Sequence, residues 1–500
     1  MSQQTLFWLD YETFGIDPRT DRPAQFAGVR TDLSLHEIEP PVRWYCQLAA
    51  DALADPEACL ITGITPQYTA AHGLLECEFM DRIHQELSRP GTCGVGYNSI
   101  RFDDEFTRFG LYRNFFDPYS REWAHGNSRW DIIDLARMCY ALCPRGTNWP
   151  LKEDGSPSFR LEHLAAANDI EHTHAHDALD DVRATLGLAV HLRQAQPRLF
   201  HHYFALRLKR TARRYLDTDN PRPLLHTSGR YPAASGHTTL VFPLAKHPAN
   251  GNGVLVYDLT VDPTPFLGLD AEQLVGRLFA ARADLEAHGL TRLPIKTVHL
   301  NRSPAIAPAA ALDRAGAERL GINGDRCRAH LKVLRAHPEL GRAVVAAHQT
   351  PAPTGLDVDE ALYTGFFGPA DRQRMALVRA TPPEQLAQLS GTFSDSRLEE
   401  LLWRYRARNF PATLTAEEQR RWRAQCRSRL SGAHEGVLSA PDFQDRLRAL
   451  CDRHALSPQE IRTLARLWRF GQERLQPHGL WTLPSKPWNR PGESGYSEFE

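Results

Sequence analysis

The chain has 500 residues, of which 42% are apolar and 24% are charged, as is ordinary for a globular protein. No run approaches the ~20 apolar residues that cross a bilayer, and Met1–Thr5 lacks the features of a signal peptide, so neither a membrane-spanning nor a secreted protein is expected. The net charge of −1 gives no general attraction to nucleic acid, so any nucleic-acid groove needs a local cluster of cations.

The length suggests about three domains, and we predict that the first spans residues 1–195. Short apolar runs predict strands at Thr5–Tyr11, Val42–Cys46 and Gly94–Ile100. Helical spacing predicts helices at Trp130–Ala141, Leu161–Ala167 and Ala178–Ala195. Strands separated by helices favour an α/β domain in which helices pack on a mixed sheet.

The second predicted domain, residues 196–350, is β-rich and contains many Gly, Pro and His residues between Pro221 and Asn301. Its predicted strands are Thr238–Phe242, Val254–Leu259 and Thr297–Leu300. Helical spacing then returns over Ala310–Ala336.

A linker at Pro351–Thr354 precedes a third predicted domain, residues 355–478, which is helical from Glu360 to about Arg474. Apolar residues on these helices predict a core containing Leu398, Leu401, Leu402, Tyr405 and Trp422. We expect a disordered tail within residues 479–500, because Leu483–Glu500 is rich in Pro, Ser and Gly.

The nine cysteines are scattered and form no CxxC pair, which argues against both a zinc site and a disulfide framework. Cys139 and Cys143 fit one helix face, but two thiols alone make a poor zinc site. We therefore expect reduced, mostly buried thiols in a cytoplasmic protein.

The strongest local signal for chemistry is the segment Asp10–Gly15. On a strand, Asp10 and Glu12 project to the same side, while Leu9 and Tyr11 point into packing. Two adjacent carboxylates repel unless a cation lies between them, and Mg²⁺ or Mn²⁺ suits such hard oxygen ligands. Because a D-x-E pattern is common, two ordinary acids at a solvated strand end remain the alternative.

A third carboxylate, Asp103, lies between a strand-like and a helix-like run. Asp104 and Glu105 compete with it for a role in the site. If Asp103 is a helix N-cap, its side chain simply accepts backbone N–H bonds.

A further acidic segment begins near His176. Asp177 is a good N-cap for the next helix, and Asp181 lies about one turn inside that helix. A loop histidine and a fixed helical carboxylate suit a general base and a metal ligand. Alternatively, the acids Asp180 and Asp181 only complement the helix dipole, and His172 and His174 are expected to be surface residues rather than ligands.

Taken in order, these segments supply four carboxylates and one histidine, the set that two-metal phosphodiester hydrolysis requires. The chain here resembles the DEDDh exonucleases and, more narrowly, the bacterial exodeoxyribonuclease I family. Within the first 195 residues the resemblance rests on Asp10–Gly15, Asp21–Phe26, Leu60–Gln67, Gly96–Glu105, Ser128–Asp131, Ser158–Leu164 and Ala175–Ala178. Further matches are Arg319–Asn323 and Tyr405–Pro411, so the likeness extends to about residue 475.

The resemblance implies an RNase H-like exonuclease domain with a mixed sheet, then an SH3-like β-rich domain, then an all-helical C-terminal domain. It implies that Asp10, Glu12, Asp103 and Asp181 bind two Mg²⁺ ions, which Mn²⁺ can replace, and that His176 is the general base. The implied activity is 3′→5′ degradation of single-stranded DNA to 5′-mononucleotides, in DNA repair and recombination, by a monomer.

The resemblance also implies substrate contacts by Glu12, Arg108, Tyr119, Trp123, Arg137 and Arg160. Aromatic side chains stack on any base, and arginines hold phosphates bidentately. Core packing is the alternative for the two aromatic residues, and surface ion pairing is the alternative for the arginines. The densest basic cluster comprises Arg207, Lys209, Arg210, Arg213 and Arg214. We expect this cluster to form a solvated helix face rather than part of a DNA channel.

The family also binds the acidic C-terminal tail of single-stranded DNA-binding protein, and Arg222 and Arg335 match basic positions of that docking surface. Three positions depart from the family pattern. This chain has Cys143, Pro308 and Asp313 where the family favours Arg, Gln and Arg, respectively. Asp313 repels an acidic tail, although the neighbouring Arg145 and Arg314 can compensate.

Two alternatives to this function stay open. The first is another DEDDh enzyme, such as an exoribonuclease, although the two extra domains argue against it. The second is a single-strand-binding clamp with a dead nuclease site, which the presence of all five catalytic residue types disfavours.

Overall fold

The computed structural model describes residues 4–172, 176–349, 355–453 and 456–484. The predicted linker Pro351–Thr354, His174 and the tail from residue 485 onward lie outside these ranges. Among the residues described, no helix is both long and apolar enough to span a membrane.

The first unit is built on a five-stranded mixed sheet, in the order β3-β2-β1-β4-β5. Strand β1 pairs in parallel with β4 and antiparallel with β2. The strands are β1 (Thr5–Thr13), β2 (Pro23–Thr31), β3 (Val42–Tyr45), β4 (Thr92–Gly96) and β5 (Ser128–Asp131). The predicted mixed sheet is therefore confirmed.

Helices cover both faces of this sheet, because alternate residues of β1 point in opposite directions. The helices up to the second sheet are α1 (Pro56–Thr62), α2 (Pro66–His72), α3 (Glu76–Leu87), α4 (Asp103–Arg113), α5 (Ile132–Leu142), α6 (Leu161–Ala167), α7 (Ala178–Ala195), α8 (Pro197–Leu206) and α9 (Lys209–Tyr215). Leu6 and Trp8 pack on α5 and α7, whereas Phe7 and Leu9 pack on α3 and α4.

Two predicted boundaries in this unit are wrong. Trp130 belongs to strand β5, so helix α5 begins only at Ile132. Strand β4 ends at Gly96 rather than continuing to Ile100, since the Asp131 carboxylate accepts the backbone N–H groups of Asn98 and Ile100 and turns the chain.

The second unit is a five-stranded antiparallel sheet in the order β10-β6-β7-β8-β9. Its strands are β6 (Leu224–Thr227), β7 (Thr238–Lys246), β8 (Gly253–Asp258), β9 (Ile295–His299) and β10 (Ala305–Pro308). Its helices are α10 (Ala271–Phe279), α11 (Arg282–Ala287), α12 (Arg314–Arg319), α13 (Gly324–Ala336) and α14 (Pro338–Ala347). The helix predicted over Ala310–Ala336 is broken, because Gly321 adopts a φ of +67° and Asn323 caps α13.

The helical unit packs directly on the first unit. Its helices are α15 (Pro369–Ala380), α16 (Ser396–Asn409), α17 (Ala416–Leu430), α18 (Ala440–Cys451) and α19 (Pro458–Leu475). The predicted helical core is confirmed for four of its five residues. These are Leu398, Leu401, Leu402 and Tyr405, which pack with Phe109 and Tyr112 of α4. Trp422 was wrongly assigned to that core, because it packs instead on Trp403 in a separate small cluster.

Helices α18 and α19 return to contact α1 and α2 of the first unit. The start of the predicted disordered tail continues this packing. Leu483 is buried in the same core, and the Trp468 indole donates a hydrogen bond to the carbonyl of Pro484. The prediction of disorder from Leu483 onward is therefore wrong for Leu483 and Pro484.

A buried network of charges, which we call the interunit ion network, joins the first unit to the helical unit. Asp359 is fully buried and accepts hydrogen bonds from Arg408 at 2.5 Å and Arg404 at 3.1 Å. Arg408 also donates to Asp51 of the first unit at 2.6 Å. Its members are Arg22, Asp51, Glu76 and Arg113 on one side and Asp357, Asp359, Arg404, Arg408 and Arg429 on the other.

Candidate active site

Strand β1 places Asp10 and Glu12 on the sheet face that carries α7. Leu9 and Tyr11 are buried on the opposite face, as the alternation predicts. The strand is well anchored there, because the Tyr11 hydroxyl lies 3.0 Å from the Thr107 hydroxyl of α4. The two carboxylates therefore have fixed positions rather than lying on a loose strand end.

Asp103 is the first residue of α4, and Phe102 holds the N-cap position. The N-cap alternative for Asp103 is therefore wrong. Its carboxylate instead accepts the backbone N–H of Tyr11, the residue between Asp10 and Glu12, at 3.0 Å. This hydrogen bond holds Asp103 beside β1.

The neighbouring acids face away from this group and already have partners. Asp104 is buried and accepts hydrogen bonds from Arg121 at 2.6 Å and Arg129 at 3.0 Å. Glu105 accepts from Arg108 at 2.9 Å and from the Tyr363 hydroxyl. Of the three candidates, Asp103 is the one that the structure brings to Asp10 and Glu12.

Helix α7 brings Asp181 to the same place. Glu12, His176 and Asp181 can offer ligand atoms that all lie within 4.8 Å of one another. His176 is exposed and has a φ of +68°, a conformation that non-glycine residues rarely adopt. Asp177 caps α7 through the Leu179 N–H, as predicted, and also accepts from Arg43 at 2.8 Å. This cap holds the segment that carries His176.

The four carboxylates destabilise one another in the charged form. Burial, together with the negative charges of Asp103 and Glu12, raises the pKa of Asp10. Burial and the Asp181 and Asp103 charges raise the pKa of Glu12 to about 9. Burial likewise raises the pKa of Asp103 and of Asp181. Such a set favours a divalent cation, whose charge relieves the repulsion.

His172 is not a surface residue, contrary to the sequence-based expectation. Its side chain is only 6% exposed, and its Nε2 lies 2.5 Å from Oδ1 of Asp181. Spacing alone gives no sign of this contact, because His172 and Asp181 are nine residues apart and lie on different elements.

The predicted substrate residues fall into two groups. Arg108 is buried and binds the Glu122 carboxylate through two hydrogen bonds of 2.7 and 2.8 Å, and Tyr119 lies over its guanidinium. Arg137 is also mostly buried and pairs with Asp134 at 2.7 Å. By contrast, Trp123 is 70% exposed and Arg160 is 65% exposed. Core packing is therefore excluded for Trp123.

Sequence reasoning missed an aromatic surface around Tyr119, to which the helical unit contributes two rings. Phe366 is 85% exposed and Tyr363 is 53% exposed. Phe366 meets Tyr119 edge-on at 5.5 Å between ring centroids. Neither residue belongs to a matched motif, and only the packing of two distant segments brings them together.

In the predicted basic cluster, four cations are exposed on or beside α9, as expected for a solvated helix face; they are Lys209, Arg210, Arg213 and Arg214. Arg207 differs, because it is partly buried, stacks on Phe204 at 3.6 Å and donates to the Ser128 hydroxyl at 3.2 Å.

The positions considered for a protein partner lie on or near the second unit. Arg222 and Arg335 are exposed, and Asp313 caps α12 by accepting the Gly316 N–H at 2.7 Å. A mostly apolar cavity of about 300 Å³ opens between the second sheet and the helices α12 and α13. Its lining includes Pro223, Leu225, Leu240, Leu312 and Arg328.

Three family models match successive parts of the chain. The model described as an exonuclease matches residues 7–189. The Exonuclease I SH3-like domain matches residues 207–350, and the Exonuclease I C-terminal domain matches residues 356–474. The three matches follow the order of the two sheet units and the helical unit.

Similar proteins cover nearly the whole chain. Exodeoxyribonuclease I of Escherichia coli K12 is 46% identical over 94% of this chain and 98% of its own length. A zinc-bound crystal structure of the E. coli ExoI–ssDNA complex is 45% identical, with a TM-score of 0.90, and covers 95% of this chain and all of its own. An ExoI/SSB-Ct complex is 44% identical, with a TM-score of 0.88 and the same coverage. The chain therefore belongs to the exodeoxyribonuclease I family.

Proposed function

We propose that this exonuclease degrades single-stranded DNA from the 3′ end and releases 5′-mononucleotides, with Mg²⁺ as its divalent metal. The observation that carries the proposal is the meeting of Glu12, His176 and Asp181 within 4.8 Å, beside Asp10 and Asp103. The likeness to a zinc-bound ExoI–ssDNA complex supports both the metal and the substrate.

In this proposal the carboxylates of Asp10, Glu12, Asp103 and Asp181 hold two divalent ions. When bound, these ions supply positive charge beside the scissile phosphate. His176 takes the proton of the attacking water, whose oxygen bonds to phosphorus while the bond from phosphorus to the 3′ oxygen breaks. The backbone N–H of Tyr11 keeps Asp103 in place during this exchange.

A timed digest of 3′-labelled and 5′-labelled single strands in Mg²⁺ tests polarity and substrate together. We expect immediate release of the 3′ label as a mononucleotide, and progressive shortening of the 5′-labelled strand. Early release of the 5′ label would contradict the direction, and faster cleavage of a matched RNA would contradict the substrate.

We propose that the strand reaches the site along the aromatic surface formed by Tyr119, Tyr363 and Phe366 and past the exposed Trp123. Exposed aromatic rings are costly in water unless a ligand covers them, and base stacking is sequence-tolerant. The buried Arg108–Glu122 pair lies under Tyr119 and supports this surface rather than holding a phosphate.

Trp123→Ala is expected to weaken binding of single-stranded DNA in EDTA by roughly 5- to 150-fold, which corresponds to the ~1–3 kcal/mol of one stacked base. Fluorescence anisotropy with a labelled oligonucleotide measures the change. Phe279→Ala is the control, because Phe279 is 60% exposed but lies on α10 of the second unit. Equal affinities for the Trp123 variant and the unmodified protein would remove Trp123 from the DNA path.

We also propose that the second unit binds the acidic tail of single-stranded DNA-binding protein, as the ExoI/SSB-Ct complex suggests. The apolar cavity beside α12 and α13 offers a place for an apolar side chain, and Arg222 and Arg335 offer positive charge. Asp313 opposes this attraction.

Asp313→Asn is expected to tighten binding of an acidic tail peptide several-fold, because it removes a repelling charge while Asn retains the helix cap. Calorimetry at low and high salt measures the effect, which salt should diminish. Asp284→Asn makes the same charge change on α11 and should leave affinity unaltered. Weaker or unchanged binding by the Asp313 variant would place the peptide elsewhere.

The nine cysteines are unpaired, and eight of them are buried. We propose that the enzyme works in the reducing cytoplasm, in DNA repair and recombination.

A further inference from the structure

His172 occupies a position that the catalytic scheme above does not use. It lies on the connection between α6 and α7, and its side chain is 6% exposed. Its Nε2 lies 2.5 Å from Oδ1 of Asp181, which is itself 18% exposed. A buried histidine in such close contact with one of the clustered carboxylates needs a physical explanation.

A metal-bound carboxylate can only accept hydrogen bonds, so in the proposed metal-bound state Nε2 of His172 carries the bridging hydrogen. This bond fixes the position of Oδ1 of Asp181. Carboxylates that bind metals are commonly oriented in this way by a hydrogen-bond donor behind them. The contact also offsets part of the repulsion that Asp181 meets from Glu12 and Asp10.

We propose that His172 is a positioning residue that orients Asp181 for metal binding. The inference rests on the proposed function, because it assumes that Asp181 binds the metal. His172 itself touches neither the substrate nor the reacting atoms in this proposal.

The test compares His172→Ala and His172→Gln with the unmodified enzyme. Mn²⁺ binding is measured by calorimetry without DNA, and cleavage is measured over a range of Mn²⁺ concentrations. We expect His172→Ala to weaken Mn²⁺ binding by roughly 10- to 100-fold, the usual effect of removing such a partner. We expect His172→Gln to retain most of the affinity, since its amide nitrogen can replace Nε2. The KM for DNA should stay unchanged.

His191→Ala is the matched control, because His191 lies on α7 and contacts only the Thr147 hydroxyl among the hydrogen bonds described for it. Its Mn²⁺ affinity should match that of the unmodified enzyme. Thermal unfolding and DNA binding in EDTA show whether each variant is folded. Unchanged Mn²⁺ affinity in folded His172→Ala, or an equal loss in His172→Gln, would overturn the proposal. The two proposals can fail separately. If Asp10→Ala loses activity while His172→Ala binds Mn²⁺ normally, the proposed function stands and only this inference is wrong.

Discussion

Asp10→Ala is expected to reduce the rate of cleavage in Mg²⁺ by roughly 10³-fold or more. This loss equals or exceeds the largest effects usually seen when one group that stabilises charge in the transition state is removed. Binding of single-stranded DNA in EDTA should change little, because Asp10 lies on the sheet face under α7 rather than on the aromatic surface. Single-turnover digestion and anisotropy measure the two quantities separately. Cleavage at the unmodified rate would remove Asp10 from the site.

His176→Ala serves as the contrasting variant. It should lose roughly 10²- to 10⁴-fold in rate, as expected for a general base, while Mn²⁺ binding is retained.

Asp10→Asn, by comparison, should raise the melting temperature of the metal-free protein, because it removes a charge that Asp103 and Glu12 repel. A lower melting temperature for Asp10→Asn in EDTA would show that the carboxylate cluster is not repulsive.

Asp359→Ala is expected to destabilise the protein by about 3–5 kcal/mol, because removing one partner of a buried ion pair leaves the others uncompensated. Asp359 is fully buried and lies within 4 Å of four arginines, namely Arg22, Arg404, Arg408 and Arg429. Urea unfolding followed by tryptophan fluorescence measures the shift. Glu286→Ala removes an exposed partner of Arg282 and should leave the unfolding midpoint unchanged.

The interunit ion network also predicts acid sensitivity. Although burial opposes ionisation, the surrounding arginines hold the pKa of Asp359 well below its usual range, and the pKa of Asp51 is lowered in the same way. A carboxyl with a lower pKa in the folded state stabilises that state above its unfolded pKa of about 4, and this contribution is lost as the pH falls further. Asp359→Ala should therefore show a smaller loss of stability below about pH 4 than the unmodified protein. Identical acid profiles would contradict this role.

The local sequence was enough to predict several parts of the site. Alternation on β1 placed Asp10 and Glu12 together because Leu9 and Tyr11 had to be buried. The bounds of α6 and α7 agree with those predicted, since their apolar spacing is regular and Asp177 is a strong cap.

The rest depended on contacts between distant segments. Strand β2 was not predicted, because all nine of its residues are buried and its sequence lacks an alternating pattern. Asp104 is separated from Asp103 by Arg121 and Arg129, which lie on other elements and bind the Asp104 carboxylate. Sequence alone cannot show that these arginines are buried, because charged residues are exposed in most proteins.

The interunit ion network has a consequence for how the protein is made. Ribosomes add residues from the amino end, so Arg22, Asp51 and Glu76 are synthesised long before Arg408 and Arg429. Until Arg408 and Arg429 emerge, Asp51 lacks the arginines that pair with it in the folded protein, and the apolar surface that α18 and α19 cover is exposed. A prematurely terminated chain that ended before α16 would leave this apolar surface uncovered. We therefore expect DNA cleavage to appear only after the helices that close around the first unit have been made.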